Sequence, residues 1–325
     1  MIKCKLINVD DIRERFGNDW SELNIKVLAF NENVTVDLRD IILPNDKYFF
    51  KRIRRNGYKK LLLPKFDINN YIFDEIDISK MVFHEDTVLP KDYKFFQKIK
   101  ARNLDRCILP KGSYEKYDFE GVSAIKTDFG LAKSLPKDFF YTLTDRYNNS
   151  IASPILPSLD YSDFYFYNAK LEGVEFGENS ILPKNPNFFD ELRKYSYVNF
   201  PKGDYRKYNF NKFSIFGSTF TKDSYLPEDK DFIKSQYYMY FKNPTSYSFI
   251  TKDMFILTQN MLNNIQNYDL NGVRIFLSDY EEEFTEQQLS LLRILYKDVI
   301  GDTLYLPKKA KIDKKEIKEN IEITL

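Results

Sequence analysis

The side chains that most often carry catalysis are scarce in this sequence of 325 residues. His84 is the only histidine, and Cys4 and Cys107 are the only cysteines. Serine, cysteine and zinc-dependent active sites combine these residue types, because they supply the base, the nucleophile or the metal ligands. His84 directly follows Phe83, a position that favours an outward, solvated side chain. We therefore expect no catalytic residue, no metal site and no cofactor.

Carboxylates are abundant, and they leave one enzymatic alternative open. The chain has 48 Asp and Glu residues, but no spacing singles out a pair. Because parallel β-helix enzymes that act on polysaccharides work with such pairs, a carbohydrate-active enzyme with unassigned acids stays an alternative. Neither glycine-rich nucleotide-binding pattern occurs among the 11 glycines, which argues against a nucleotide site.

The strongest local charge lies in residues 51 to 65, KRIRRNGYKKLLLPK, which contain no acidic residue. The cations of this run are Lys51, Arg52, Arg54, Arg55, Lys59, Lys60 and Lys65. Clustered cations attract phosphates or an acidic protein face, so the run predicts either a binding patch or a solvated helix. Over the whole chain, 49 Lys and Arg against 48 Asp and Glu give a formal charge of +1. This balance excludes a globally basic nucleic-acid coat and an acidic nucleic-acid mimic.

Prolines mark the elements that position these residues. One series is Pro44, Pro90, Pro136, Pro183 and Pro227, whose sequence numbers rise by 46, 46, 47 and 44. A second, interleaved series is Pro64, Pro110, Pro157, Pro201 and Pro244, whose numbers rise by 46, 47, 44 and 43. A fixed period of this length is typical of stacked repeat architectures. The sequence therefore predicts a repeat of about 46 residues with two marked corners.

Within each repeat, the segment that ends at a first-series proline, such as residues 65 to 90, carries a large residue at every fifth position. In the first copy these are Ile68, Phe73, Ile78, Phe83 and Val88, and the later copies carry Tyr114, Phe119, Ala124 and Phe129, then Tyr161, Phe166, Leu171, Phe176 and Ile181, then Tyr205, Phe210, Ile215, Phe220 and Tyr225. Helices repeat every 3.6 residues and strands every 2, so neither keeps such a set on one face. We predict a coil that turns inward every five residues and stacks Phe73, Phe119, Phe166 and Phe210 in one column.

The stretches YDFEGVSAIKTDF and NAKLEGVEF resemble the pentapeptide-repeat proteins, which carry Leu or Phe at the centre of each unit and a small residue two positions earlier. That resemblance implies right-handed four-sided β-helical coils over residues 68 to 88, 114 to 134, 161 to 181 and 205 to 225. It covers roughly a quarter of the chain. The sequence departs from the family pattern in its bulky inner residues, Tyr71, Tyr117, Phe164 and Tyr208.

Between these coils the sequence predicts short helices. An N-cap residue type stands two positions after each first-series proline, as Asp46, Asp92, Asp138, Asn185 and Asp229. Paired apolar residues follow, such as Phe49 with Phe50, and Ile53 and Ile99 fit the same helical face. We therefore predict a helix of two to three turns in each repeat, and further helices over DDIRERF (10 to 16) and EEFTEQQLSLLRILYKDVI (282 to 300).

Together these patterns predict a mainly β fold with inserted short helices (α+β), a β-solenoid of about five repeats. Its expected parts are an N-terminal cap (1–43), the repeats (44–249) and a helical C-terminal cap with a charged tail (250–325). Two distant cysteines and the lack of any long apolar stretch favour a cytoplasmic setting without a membrane.

The leading functional hypothesis is a non-enzymatic protein that binds, and inhibits, a protein partner. Stacked repeats present extended binding surfaces, which suit this role. Some pentapeptide-repeat proteins occupy the DNA groove of type II topoisomerases, so the resemblance implies a topoisomerase as partner. A related hypothesis is that the chain blocks another nucleic-acid enzyme, such as a phage-targeted defence nuclease. The alternative of direct nucleic-acid binding rests on the run from 51 to 65.

Overall fold

The structure is a computed structural model that describes residues 9–23, 34–53, 58–143, 153–167, 169, 171, 173–192, 198–213, 215, 218–221, 223–233, 235–236, 264 and 267–268. These residues form a mixed α/β fold of short helices and small parallel sheets. The chain divides into two compact units, Met1–Phe166 with Gly173–Gly177, and Tyr167–Glu172 with Glu178–Leu325. The predicted domain boundaries after residues 43 and 249 stay predictions.

The helices are short. Helix α1 spans Val9–Phe16 and confirms the helix predicted over DDIRERF. Helices α2 (Phe95–Lys98), α3 (Phe139–Thr142) and α4 (Phe188–Glu191) have four residues each, and 3₁₀ helices occupy Phe49–Arg52, Ile68–Asn70 and Lys100–Arg102. The prediction of two to three turns per repeat is wrong for the described copies. The helix predicted over residues 282 to 300 lies outside the described residues.

These helices end early because the next apolar residue leaves the helical path. Ile99 follows α2 with extended backbone (φ −64°, ψ 155°) and is buried, and Ile53 is extended after Phe49–Arg52 (φ −76°, ψ 121°) and half-buried. The predicted N-caps are also displaced. Asp46 and Asp92 accept hydrogen bonds from the amides two residues later, at 3.0 and 2.9 Å, and so close an Asx turn before the helix.

Asn185 accepts a hydrogen bond at 3.0 Å from the amide of Asn187, the residue at the start of α4, and Asp229 accepts one at 2.9 Å from that of Asp231. Asp138 does hold the N-cap position of α3, but its side chain makes no capping hydrogen bond. The third repeat differs because two fewer residues separate its proline from its paired phenylalanines.

Parallel pairing organises the first compact unit. Strands β1 (Thr35–Asp37), β2 (Lys60–Leu62) and β3 (Met81–Val82) form a three-stranded parallel sheet. Single parallel bridges continue this ladder from Val82 to Ile108, then to Asp128, Ile155 and Glu175. From Leu62 onward, the sequence numbers of successive partners differ by 20, 26, 20, 27 and 20, so short steps alternate with long steps. Between residues 62 and 175, both halves of a repeat therefore add a rung to the same ladder.

Further parallel pairs occur elsewhere in the chain. Asp67 pairs with Val88, and β4 (Gly112–Ser113) pairs in parallel with β5 (Ala132–Ser134). In the second compact unit, β6 (Asn199–Phe200) pairs in parallel with β7 (Thr219–Phe220), and Asp204 pairs with Tyr225. The sequence numbers of these partners again differ by 20 or 21.

Aromatic rings fill the interior. Phe50 lies 4.6 Å from Phe73, Phe96 lies 4.8 Å from Phe119, and Phe140 lies 4.5 Å from Phe166, measured between ring centroids. Edge contacts at 5.7 and 5.2 Å link Phe73 to Phe95 and Phe119 to Phe139, so aromatic contacts extend from each repeat to the next helix. The second unit repeats the contact, with Phe189 stacked on Phe210 at 4.3 Å. The predicted burial of these phenylalanines is confirmed.

The five-residue pattern fails at the residues two positions before the corner prolines. Val88, Ile181 and Tyr225 were expected inside, yet they are 48%, 48% and 43% exposed, whereas Leu182 and Leu226 are buried. Backbone before proline is extended, and adjacent residues of an extended segment face opposite sides. Leu182 and Leu226, the residues next to their prolines, therefore take the inner positions.

Candidate interaction surface

The structure distributes the predicted basic run over several elements. Lys51 and Arg52 lie on the 3₁₀ helix Phe49–Arg52, Lys60 begins β2 directly after Lys59, and Lys65 follows the Pro64 corner. The remaining two members, Arg54 and Arg55, lie outside the described residues. The run is therefore continuous in sequence but is divided between a helix, a strand and a corner.

Two members of the run have carboxylate partners. The Arg52 guanidinium lies 3.0 Å from the Asp46 carboxylate, and the Lys65 ammonium lies 3.8 Å from Asp86. Lys51 instead lies 5.8 Å above the centre of the Tyr48 ring. Partnered and solvent-exposed charges of this kind add little to a common electric field.

A different set of cations is brought together by the parallel register. Lys60, Lys80, Arg106 and Lys126 stand two residues before Leu62, Val82, Ile108 and Asp128, which are successive partners in the ladder. Backbone hydrogen bonds join the same positions: the Leu61 amide donates to Lys80 (3.2 Å), the Lys80 amide to Asp105 (3.0 Å) and the Arg106 amide to Ile125 (2.8 Å). We call this set the cationic row.

The cationic row carries unpaired charge. Lys60, Arg106 and Lys126 are exposed and Lys80 is half-buried. Among the described residues, no carboxylate forms an ion pair with any of the four. Asp105, the neighbour of Arg106, accepts hydrogen bonds from the Ser123 hydroxyl (2.7 Å) and the Ile125 amide (3.1 Å). These charges are therefore available to a partner.

Three members of the row have left-handed backbone. The φ angles of Lys80, Arg106 and Lys126 are 65°, 59° and 53°, and Gly173, two residues before Glu175 of the same ladder, has φ 72°. Left-handed backbone costs a residue with a Cβ about 1 kcal/mol or more, and glycine avoids that cost. Long cationic side chains thus occupy positions where glycine would be more stable.

An aliphatic row runs beside the cations. Leu62, Val82 and Ile108 point outward from the same rungs and are half-buried, whereas the alternate residues of those rungs, such as Leu61 and Leu63, are fully buried. We call these three residues the aliphatic row. They stand two positions after Lys60, Lys80 and Arg106 in sequence, so the two rows occupy neighbouring positions of the same rungs.

Several tyrosine hydroxyls of the repeats stabilise the fold by donating hydrogen bonds to proline carbonyls. Tyr114, Tyr161 and Tyr205 donate hydrogen bonds to the carbonyls of second-series prolines four residues earlier, at 2.7, 2.8 and 2.6 Å. The inner tyrosines that depart from the pentapeptide pattern donate hydrogen bonds to the carbonyls of first-series prolines. Tyr71 donates to Pro44 (3.1 Å), Tyr117 to Pro90 and Tyr208 to Pro183 (2.8 Å).

These hydroxyls are protonated far above neutral pH, because burial raises the pKa of Tyr117 to about 12 and raises the pKa of Tyr114 strongly. Their position explains the excess of tyrosine in the repeats, since each ring fills the core while its hydroxyl satisfies a corner carbonyl.

His84 and Cys107 belong to residue types that often act in catalysis, but here they take part in local hydrogen bonding and packing. His84 is half-buried, and its Nδ1 accepts a hydrogen bond of 3.1 Å from the Asp86 amide. Cys107 is buried under the ladder, and burial raises the pKa of its thiol. The described segments contain no group of three or more side chains placed to hold a metal ion.

Sequence reasoning found only Lys60 of the cationic row. Lys80, Arg106 and Lys126 are isolated in sequence, but a signal exists in their positions relative to the second-series prolines. Lys60 and Arg106 stand four residues before Pro64 and Pro110, and Lys80 and Lys126 follow the same two prolines at equal distances. The alternation of short and long steps between rungs is needed to connect these positions.

Comparison of the chain with protein-family models, with curated proteins and with solved structures gave no match. In the part of the chain that the structure describes, no helix has the length and apolar character needed to cross a membrane.

Proposed function

We propose that the chain is a repeat β-solenoid that acts without catalysis, by binding and inhibiting a protein partner such as a nucleic-acid enzyme. The parallel ladder with its alternating short and long steps supports the solenoid, because each half-repeat adds one rung. The resemblance to pentapeptide-repeat proteins supports the same architecture. In a stack of this kind, each repeat buries its apolar side only against its neighbours.

The functional proposal rests on a difference between the buried tyrosine hydroxyls and the cationic row. Buried hydroxyls of the described repeats donate hydrogen bonds to corner carbonyls, whereas no described carboxylate forms an ion pair with the cationic row beside the parallel ladder. Repeat stacks use such regular outer faces to bind macromolecules. A topoisomerase is the partner that the pentapeptide resemblance implies, and a defence nuclease is a related candidate among nucleic-acid enzymes.

Affinity capture from the native host tests this function. The tagged full chain should recover one protein partner at about 0.5 M salt, because an interface with buried apolar contacts survives at a salt concentration that screens surface charge. The recovered partner should then lose activity when the purified chain is added. Hydrolysis of a surveyed glycan by the chain, without any captured partner, would contradict the proposal.

Direct nucleic-acid binding through the run from 51 to 65 is the second candidate, favoured by the exposure of Lys51, Lys59 and Lys60. Phosphate contacts make affinity fall steeply with salt. Reversing the charge of Arg52, Arg54 and Arg55 should then abolish binding of an oligonucleotide at low salt. Capture of nucleic acid that disappears at about 0.5 M salt would favour this candidate over the first.

A further inference from the structure

We propose that the cationic row and the aliphatic row together form a docking surface for an acidic amphipathic helix of the protein partner. This inference rests on the proposed function and names the chemistry of the segment that would bind. It departs from the basic run of residues 51 to 65, since only Lys60 belongs to both sets.

Charge complementarity gives the first argument. The row presents four cations on consecutive rungs, and no carboxylate of the described chain pairs with them. Some exposed cations of the first unit do have carboxylate partners, as Lys98 has Asp92 at 2.6 Å and Lys137 has Asp163 at 3.3 Å. A partner that aligns several carboxylates with the row would therefore not have to break an ion pair among the described side chains.

The spacing of the row selects a helix over an extended strand. Rungs of a parallel ladder are about 4.8 Å apart, so the row from Lys60 to Lys126 spans about 14 Å. A helix repeats one face every ~5.4 Å, and three turns cover about 16 Å. Alternate residues of a strand are about 6.7 Å apart, and three such steps cover about 20 Å. Flexible lysine side chains absorb the ~2 Å difference for a helix but not the ~6 Å difference for a strand.

The aliphatic row distinguishes a protein partner from nucleic acid. Single-stranded nucleic acid is usually bound where aromatic side chains stack on bases beside a basic groove. At the first three cations the neighbours are Leu62, Val82 and Ile108, which can bury apolar side chains but offer no stacking platform, and at Lys126 the neighbour is the half-buried Asp128. A helix is about 10 Å across, so one helix covers both rows at once.

A designed peptide probes this surface directly. We would use a labelled helical peptide with Glu at positions i, i+4, i+7 and i+11 and Leu at i+1, i+5 and i+8, measured by fluorescence anisotropy with the full chain. The comparison peptide has the same composition in shuffled order. The patterned peptide should bind at least about tenfold more tightly than the shuffled one, because only it places carboxylates and leucines over the two rows.

Charge reversal locates the binding site. The triple variant Lys80→Glu, Arg106→Glu and Lys126→Glu should weaken binding of the patterned peptide about tenfold or more. The matched triple variant Lys91→Glu, Lys111→Glu and Lys133→Glu changes the net charge equally at exposed positions off the row and should weaken it less than about twofold. Equal losses in both variants would overturn the inference, and so would equal binding of the shuffled peptide.

Two further measurements keep the test decisive. If thermal melting shows that the row variant does not fold, Lys60→Gln with Lys126→Gln, at the exposed ends of the row, replaces it with the same expected direction. An oligothymidylate serves as the nucleic-acid probe. Binding of this oligonucleotide through the row, without binding of the peptide, would assign the row to nucleic acid and overturn the helix.

Partner capture separates this inference from the proposed function. Recovery of the same protein by the wild-type chain, with loss in the row variant only, supports both. Equal recovery by the wild-type chain and the row variant leaves the proposed function standing and overturns the docking surface. Recovery of no protein by either chain overturns the proposed function, and the inference with it.

Discussion

The pairing of tyrosine hydroxyls with proline carbonyls predicts a defined loss of stability when one hydroxyl is removed. Tyr114 is completely buried, and its hydroxyl donates a hydrogen bond of 2.7 Å to the Pro110 carbonyl. Tyr114→Phe keeps the ring, and therefore the contacts with Phe96 and Phe129, but deletes the donor. The carbonyl is then left without this partner in the core.

The expected cost of Tyr114→Phe is about 1–3 kcal/mol, the desolvation penalty of an unsatisfied buried acceptor. Urea unfolding followed by far-UV circular dichroism measures this cost as a lower midpoint with an unchanged slope. Tyr165→Phe is the matched control, because Tyr165 is 65% exposed and deletion of its hydroxyl should change the free energy of unfolding by less than about 0.5 kcal/mol.

Equal unfolding midpoints for Tyr114→Phe and Tyr165→Phe would refute the reasoning, because they would mean that the hydroxyl contributes nothing beyond the ring. A natural comparison exists within the repeats. Phe164 occupies the position of Tyr117 and already lacks a hydroxyl, so Phe164→Tyr should be tolerated better than Tyr117→Phe.

Three further predictions concern stability. Phe119→Ala should cost roughly 3–5 kcal/mol in urea unfolding, since Phe119 is 1% exposed and its ring contacts Phe96 and Phe139; a cost below about 1 kcal/mol would contradict a continuous aromatic core. Lys126→Gly should raise the free energy of unfolding by about 0.5–1 kcal/mol, because it relieves left-handed backbone at φ 53°, whereas Lys133→Gly within β5 should lower it. The free energy of unfolding should be constant from neutral pH to about 10 and fall above it. Burial raises the pKa of Tyr117 from the ordinary 10.0 to about 12, so the unfolded chain loses this proton at a lower pH than the folded chain. Ultraviolet absorbance measures tyrosine ionisation, and ionisation of all tyrosines near pH 10 without unfolding would contradict this prediction.

Some of the fold followed from the sequence because it depends on local spacing. The Leu-Pro corners and the paired phenylalanines recur along the chain, so the repeat period and the buried aromatic positions were predictable. The helix length was not, because extended backbone at Ile53 and Ile99 ends each helix before a second turn. Ile181 and Tyr225 were misplaced for a related reason, since the extended segments before Pro183 and Pro227 place Leu182 and Leu226 inside.

The residues of the candidate site were also predictable only in part. By itself the sequence determined where basic residues are concentrated along the chain and which aromatic residues are buried, because both follow from the order of neighbouring residues. Only the tertiary structure decided which cations face the same partner. Lys60, Lys80, Arg106 and Lys126 align because hydrogen bonds between parallel rungs set the register of segments that lie half a repeat apart, and this register is a property of the folded chain.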